Sequence, residues 1–143
     1  MIRTKADDKI RALSGVGLFD SCNKRELREV AHLCSPLSAD EGFVLTVEGG
    51  PGRECFIIAD GKAEVTIGGD PVGVVGAGEC VGEMALLDRG PRTATVTTQT
   101  PMHLYVLSTS EFQALLTVSP IIGRKVAATL ARRLRALEAD RPH

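Results

Sequence analysis

Residues 82–96 read Gly-Glu-Met-Ala-Leu-Leu-Asp-Arg-Gly-Pro-Arg-Thr-Ala-Thr-Val, and they are the most informative segment of this 143-residue chain. Within a dozen residues the segment combines the carboxylate of Glu83, a short apolar turn and the guanidinium of Arg92. Arginine donates two parallel hydrogen bonds to phosphate oxygens and keeps its proton, whereas a carboxylate accepts a hydrogen bond from a sugar hydroxyl. The segment therefore predicts a site for a ligand that carries both a phosphate and a sugar hydroxyl.

The turn between the two charged residues supports this interpretation. We expect residues 82–87 to form one helical turn that opens with glycine, because N–H groups at a helix start attract anions and glycine lets a ligand approach closely. Pro91 stiffens the approach to Arg92. Taken without its neighbours, Glu83 would be interpreted as an acidic residue that the helix dipole favours at a helix N-terminus. Arg92 alone would be interpreted as a surface arginine on a hairpin. Their combination in one segment favours ligand binding.

A β-rich region surrounds this segment, from residue 42 to residue 107. Short apolar, β-branched runs alternate there with glycine turns, and the runs lie at residues 43–47, 55–58, 63–67, 72–75, 93–98 and 102–107. Asp60-Gly61 between two apolar runs predicts a β-hairpin. Many short strands at such spacing are typical of a sandwich or a jelly-roll barrel.

Helical patterns flank the β-rich region on both sides. A short helix is expected at about residues 5–13, and an Asn/Glu capping pattern at residues 23–26 begins a second helix. A Ser/Glu pattern at residues 108–111 begins a third helix, and Pro120 stands at the first position of a fourth, where its missing N–H costs nothing. The chain is therefore expected to contain two helices before the β-rich region and two after it.

These patterns predict one mainly β domain with flanking helices over residues 1–143. N-terminal helices would occupy residues 1–38 and a jelly-roll (double-stranded β-helix) barrel residues 42–107, with the segment 82–96 inside the barrel. Two C-terminal helices would occupy residues 108–139. A chain of 143 residues is long enough for a single hydrophobic core.

The last predicted helix has an apolar face that allows two interpretations. Its apolar residues recur at intervals of four, four, four and three, so they form one stripe: Ile122, Val126, Leu130, Leu134 and Leu137. The stripe could cover the barrel and its ligand, which we favour, or its outer part could form a dimer interface. Arg132, Arg133 and Arg135 are expected to form a solvated face of this helix.

Composition excludes several classes of function and location. The net charge of −1 gives no basic patch for nucleic acid, and no helix-turn-helix pattern follows the last helix, so direct DNA binding is not expected. No apolar run approaches the roughly 20 residues that span a bilayer, and the N-terminus lacks the apolar core of a signal peptide. No membrane association and a cytoplasmic location are therefore expected.

The potential metal ligands and nucleophiles are scattered along the chain. The four cysteines contain no CxxC pair, and the three histidines lie far apart. We therefore expect no metal site and reduced cysteines that pack as small apolar residues. No Ser/His/Asp or Cys/His arrangement stands out, so the chain is not expected to be an enzyme and no catalytic residue is assigned.

Residues 82–96 resemble the phosphate-binding cassette of cyclic nucleotide-binding domains. That cassette reads Gly-Glu, an apolar residue, Ala-Leu and a second apolar residue, then a variable tip, and closes with Pro-Arg, a small residue, Ala, Ser or Thr, and Val; every one of these positions matches. Glu48–Gly52 and the Asp60-Gly61 turn are similar to strand-turn signals of the same family. The order of helix, β roll and two helices is also the same.

The resemblance implies a role for each polar part of the cassette. Phosphate contacts would come from Arg92, Thr93 and the backbone N–H groups of Ala85 and Leu86. The ribose would be bound by Gly82 and Glu83. The base would be capped from the last helix, for which the candidates are Leu134, Arg135 and Leu137.

The two remaining apolar residues of the cassette, Met84 and Leu87, are expected to pack in the core. The resemblance places Leu87 against the C-terminal helices, where it would sense movement of the cassette. Thr93 permits either a guanine or an adenine base, and cyclic AMP is favoured because it is the commoner ligand.

The resulting hypothesis is a non-catalytic sensor of cyclic AMP, with cyclic GMP as the alternative ligand and no other cofactor. Binding would draw the cassette inward and let the C-terminal helices close over the base. A protein partner or a fused effector would receive the signal, with the chain a monomer or a homodimer through its last helix. The competing hypotheses are a degenerate interaction module and a fragment of a larger cyclic-nucleotide-regulated channel, kinase or transcription factor.

Overall fold

A computed structural model describes residues 5–88 and 90–139 of the chain. Four α-helices lie in these residues: α1 (Lys5–Ser14), α2 (Lys24–Ala31), α3 (Thr109–Val118) and α4 (Pro120–Ala139). Two single 3₁₀ turns accompany them, Gly17–Phe19 before α2 and Glu83–Leu86 within the β-rich region. The expected helices are thus confirmed on both sides of the β-rich region.

Eight strands form two four-stranded antiparallel sheets in this part of the chain. The strands are β1 (Ser35–Ala39), β2 (Val44–Thr46), β3 (Glu54–Asp60), β4 (Lys62–Ile67), β5 (Asp70–Gly76), β6 (Cys80–Val81), β7 (Thr95–Thr98) and β8 (Met102–Ser108). One sheet has the order β1-β8-β3-β6 and the other β2-β7-β4-β5. This arrangement confirms the predicted fold class, a mainly β jelly roll with flanking helices.

Two apolar clusters hold the elements together. One lies between the helices and the β1-β8-β3-β6 sheet, where the rings of Phe19 and Phe112 meet edge to face at 5.7 Å. The other fills the β roll around Phe56, Ile58 and Leu104. Leu86, which is fully buried, belongs to the first cluster. The 3₁₀ turn of residues 83–86 is therefore anchored in the same core as the helices.

The N-terminal helical region is shorter than predicted. The chain enters β1 at Ser35, so the prediction of N-terminal helices up to residue 38 is wrong over its last four residues. β1 is an edge strand that pairs with β8 alone, and an edge tolerates Pro36, which cannot donate a backbone hydrogen bond. Residues 1–4 and 140–143 lie outside the described residues.

The predicted hairpin at Asp60-Gly61 is also wrong. β3 and β4 belong to different sheets, so this turn carries the chain from one sheet to the other. Gly61 has φ of 102°, and a Cβ there would lie 2.6 Å from both the Met102 Cγ and the Pro101 carbonyl oxygen. The tight two-residue hairpin of the barrel joins β4 to β5 instead, at Gly68 and Gly69, which both have positive φ.

α4 follows the predicted apolar stripe for only half of its length. Ile122 and Val126 are buried, whereas Leu134 and Leu137 are 61% and 62% exposed. The favoured interpretation, that the stripe covers the barrel, therefore holds in this structure for the first half of the helix and not for its end, which runs past the core. Over the described ranges no single helix is long and apolar enough to cross a bilayer; by length and composition alone, only the pair α3 and α4, bent by 114°, could do so.

Candidate functional site

A cavity of about 230 Å³ lies between the segment 82–96 and Gly52, in the loop that precedes β3. Its lining includes four of the predicted site residues: Gly82, Ala85, Arg92 and Thr93. Paired backbone bonds join Arg92 to this loop: the Gly49 N–H donates to the Arg92 carbonyl and the Arg92 N–H donates to the Gly50 carbonyl, both at 2.8 Å. The segment that the sequence singled out therefore forms most of the cavity wall.

The Arg92 side chain is half-buried and held in place on several sides. Its Nη2 donates to the Glu54 carbonyl oxygen at 2.7 Å, and its guanidinium carbon lies 5.9 Å from the centre of the Phe56 ring. A Cβ on Gly82, which has φ of 77°, would stand only 2.0 Å from Arg92 Nη1. Glycine is therefore required at position 82 both by the backbone conformation and by the guanidinium. The bond to the Glu54 carbonyl uses one of the five N–H groups of the guanidinium, so other N–H groups remain as donors for an anion.

The predicted helical turn is present as the 3₁₀ turn Glu83–Leu86. The Ala85 N–H donates to the Gly82 carbonyl at 3.0 Å within this turn. A contact from this N–H to a ligand would therefore share or replace that bond. The proposed contacts of the Ala85 and Leu86 N–H groups stay predictions.

Glu83 makes an ion pair that the sequence did not predict. Its Oε1 accepts a hydrogen bond from Arg133 Nη1 of α4 at 3.0 Å, and both side chains are partly buried. Its Oε2 lies 4.0 Å from the Cys80 sulfur. The assignment of Arg133 to a solvated face is therefore wrong. The guanidinium of Arg133 also occupies the space next to Gly17, where a Cβ would lie 2.3 Å from Nη2.

Thr109 is a second residue of this site that the sequence did not reveal. It is the first residue of α3, and its buried hydroxyl donates to the Ala85 carbonyl in the cassette turn. The capping pattern at residues 108–111 correctly predicted the start of α3, but it carries no information on a partner 24 residues away. Such contacts depend on how the helices dock, which no local pattern specifies.

Met84 and Leu87, the two cassette residues expected to pack in the core, differ in their surroundings. Leu87 packs against the core that contains Leu86 and the C-terminal helices, as predicted. Met84 is 52% exposed and lines the cavity, so the prediction that it lies in the core is wrong. A 3₁₀ turn points side chains in three directions, and at Met84 the direction is towards the opening.

The proposed base-capping residues lie apart from this cavity. Leu134, Arg135 and Leu137 are exposed on the last turns of α4 and are absent from its lining. Their role thus depends on a change in the position of α4 and stays a prediction. Thr93 is exposed at the cavity rim.

Two buried cysteines, Cys34 and Cys55, have thiols whose pKa lies above the ordinary value. The thiol of Cys55 is fully buried, and contact with Cys80 together with burial raises its pKa well above the ordinary value. Burial also raises the pKa of Cys34 to about 11. All four cysteines are free thiols. Within residues 5–88 and 90–139, no three His, Cys, Asp or Glu side chains converge as a metal site would require.

Comparison with known sequences identifies what the chain is similar to. A family model described as the cyclic nucleotide-binding domain matches residues 36–119, which include the whole cavity lining. A cyclic nucleotide-gated potassium channel from Rhizobium etli is 33% identical over 121 residues, which are 85% of this chain and 34% of the channel. The chain spans between 34% and 48% of the length of the first curated relatives.

Comparison with solved structures gives the same result. The N-terminal domain of a transcriptional regulator from Streptomyces coelicolor superimposes with a TM-score of 0.85 and 28% identity, over 94% of this chain and 98% of that domain. The regulatory domain of Toxoplasma gondii PKA, solved as a co-crystal with cAMP, superimposes with a TM-score of 0.70 and 29% identity, over 79% of this chain and 46% of that protein.

Proposed function

The chain belongs to the cyclic nucleotide-binding domain family, and from this premise we propose that its cavity binds cyclic AMP in preference to cyclic GMP and that it acts as a non-catalytic sensor. The observation that carries the proposal is the half-buried Arg92 guanidinium, which the Glu54 carbonyl fixes in the wall of the cavity. In a cyclic nucleotide the phosphodiester carries one negative charge, and this guanidinium supplies one positive charge with matching donor geometry.

The proposed ribose contact uses Glu83. An ionised carboxylate only accepts hydrogen bonds, so a ribose 2′-hydroxyl suits it as a donor. The ion pair with Arg133 leaves capacity for this contact, because a carboxylate has about four lone-pair sites and the pair uses one oxygen. Glu83 would therefore bind the sugar and α4 at the same time.

The base preference is supported by similarity and not by a contact. A related regulatory domain was solved as a co-crystal with cAMP, and Thr93 at the cavity rim is compatible with either base. The exposed Leu134 and Leu137 offer apolar area to cover the base once α4 moves over the cavity. Such a movement would convert ligand binding into a signal by population shift.

The whole protein's output is a separate proposal. Relatives of this family named as a potassium channel and as a transcriptional regulator suggest that the domain controls an attached or associated effector. A degenerate interaction module is the alternative, and the presence of Arg92 in the cavity wall, with Glu83 in the adjoining turn, disfavours it.

A competition assay against a fluorescent cyclic AMP analogue tests the ligand assignment. We expect cyclic AMP to displace the analogue at lower concentration than cyclic GMP, and 5′-AMP to compete poorly. Glu83→Gln should weaken cyclic AMP about 2- to 30-fold but leave 2′-deoxy cyclic AMP nearly unchanged, because the amide oxygen still accepts from the 2′-hydroxyl but without the charge assistance, which contributes about 0.5–2 kcal/mol. Glu41→Gln, at an exposed acid in the β1–β2 turn, is the matched control.

Each outcome of this assay has a defined meaning. Equal losses for the two sugars in Glu83→Gln would remove Glu83 from the ribose site. Competition by cyclic GMP at the lower concentration would reverse the base preference. An absence of displacement by any cyclic nucleotide would contradict the proposed function itself.

A further inference from the structure

Thr109 connects two separate parts of the chain at the junction of β8 and α3. The residue is 1% exposed. Its backbone N–H donates to the Arg53 carbonyl at 2.9 Å, and its side-chain hydroxyl donates to the Ala85 carbonyl. Both partners belong to segments that enclose the cavity.

The two partners of Thr109 belong to two neighbouring walls of the phosphate site, since a Cβ on Gly52 would stand 3.5 Å from the Ala85 Cβ. Arg53 stands between Gly52, which lines the cavity, and Glu54, whose carbonyl holds Arg92 Nη2 at 2.7 Å. Ala85 lies in the 3₁₀ turn that forms the other wall. One residue therefore links the wall that fixes the guanidinium to the wall that carries the cassette N–H groups.

The hydroxyl of Thr109 is not required by its own helix. The N-cap of α3 is Ser108, whose side chain accepts from the Glu111 N–H at 3.1 Å. Within the part of the chain that the structure describes, the Thr109 hydroxyl donates to the Ala85 carbonyl of the cassette turn and not to a carbonyl of α3. The Thr109 hydroxyl therefore takes no part in capping α3. Its hydrogen-bond acceptor is the Ala85 carbonyl of the cassette.

We propose that Thr109 is a positioning residue of the phosphate site, whose hydroxyl holds the turn Glu83–Leu86 at the correct distance from the Arg92 guanidinium. The inference rests on the proposed function, since it concerns how the same cavity is shaped for an anion. It also assigns the first residue of α3 as a direct link from the cassette to the C-terminal helices. Pre-organisation of this kind raises affinity because the donors need not be reordered on binding.

The Thr109→Val variant isolates the hydroxyl, because valine has the same shape and keeps the backbone N–H bond to Arg53. We expect cyclic AMP to bind about tenfold more weakly, measured by calorimetry, and 2′-deoxy cyclic AMP to lose the same factor, since the two ligands share the phosphate. Thr109→Ser restores the hydroxyl and should bind within about threefold of the wild type.

A matched control separates positioning from general loss of stability. Thr98 is also buried, and its hydroxyl donates to the Asp40 carbonyl at 2.6 Å, away from the cavity. Thr98→Val should lower the melting temperature without changing the affinity. If Thr109→Val does not fold, Thr109→Cys replaces it, because a thiol is a weaker hydrogen-bond donor than a hydroxyl. Its affinity for cyclic AMP should lie between that of Thr109→Ser and a value tenfold weaker than that of the wild type.

The outcomes distinguish this inference from the proposed function. A wild-type protein that binds no cyclic nucleotide contradicts the proposed function. A wild type that binds while a folded Thr109→Val binds equally well overturns the role of Thr109 alone. The role is likewise overturned if Thr109→Ser loses as much affinity as Thr109→Val, or if Thr98→Val loses as much as either.

Discussion

The position of Arg92 results from close contacts with small neighbours. A Cβ on Gly52 would lie 2.8 Å from the Gly90 carbonyl oxygen and 3.7 Å from Arg92 Cδ, and a Cβ on Gly82 would reach Nη1 at 2.0 Å. The Phe56 ring and the Glu54 carbonyl occupy further sides of the guanidinium. The two glycines therefore give the arginine room in a site that its other neighbours make rigid.

Replacement of Gly82 by alanine tests this arrangement. We expect Gly82→Ala to displace the guanidinium and to weaken cyclic nucleotide binding at least tenfold, measured by calorimetry. Alanine at φ of 77° also strains the backbone by about 1–2 kcal/mol. Gly78→Ala is the matched control. Gly78 has a similar φ of 88°, but a Cβ at this position would have no atom within 4 Å, so the variant has the backbone strain without the close contact. Equal affinity in the two variants would show that the guanidinium does not need this space.

At the scale of the helices and strands, short sequence patterns correctly predicted the features that depend on neighbouring residues, such as helix starts and the cassette turn. The capping pattern at residues 23–26 is present as two reciprocal hydrogen bonds, with Asn23 accepting from the Glu26 N–H at 2.9 Å. The cassette motif located the turn, the cavity and Arg92. The sequence did not show that the chain changes sheets at Gly61 or that Arg133 pairs with Glu83 50 residues away. Those features depend on docking between distant elements, which periodicity and propensity do not encode.

The two halves of α4 differ in how they are attached. Lys125 in the first half binds Glu26 of α2 at 2.6 Å, next to the buried Ile122 and Val126. The second half is largely exposed, and its ion pair to the cassette is that of Arg133 with Glu83. The end of α4 is therefore attached to the ligand site by a partly exposed contact.

Loss of the Arg133 side chain should loosen the end of α4. We expect Arg133→Gln to speed amide hydrogen exchange at residues 131–138 about two- to fivefold, since a partly exposed ion pair contributes about 0.2–1 kcal/mol. Exchange in the first half of the helix should not change. Arg135→Gln, which removes a neighbouring charge at an exposed position of the same helix, is the control. Unchanged exchange in Arg133→Gln would contradict the attachment.

At the scale of the whole molecule, the N-terminal and C-terminal helices form one unit beside the barrel. α2 and α4 meet through the Glu26–Lys125 pair, and Phe19 and Phe112 close the core between them. The hydrogen bond from Lys125 lowers the pKa of Glu26 below its ordinary value of 4.5, with a second contribution from the Asn23 N–H. The docking of the two helical regions therefore depends on an ionised Glu26.

This dependence predicts a stability difference on acidification. Because the pKa of Glu26 is lower in the folded state, its contribution is fully present above pH 4.5 and is lost as the pH falls through the folded-state pKa. Wild type should melt at a higher temperature than Glu26→Gln at pH 7, and the difference should shrink as the pH falls below 4.5. A difference that stays constant as the protein is acidified would contradict the role of the carboxylate.

Calorimetric titration of cyclic AMP into the wild type and Arg92→Gln measures directly whether this cavity is the phosphate site. Saturable binding at one site per chain is expected for the wild type and for Arg53→Gln, an exposed neighbour that serves as the charge control. Arg92→Gln should bind about a hundredfold more weakly or not at all, because two charge-assisted hydrogen bonds are lost. The absence of binding by the wild type, or wild-type affinity in Arg92→Gln, would contradict this assignment.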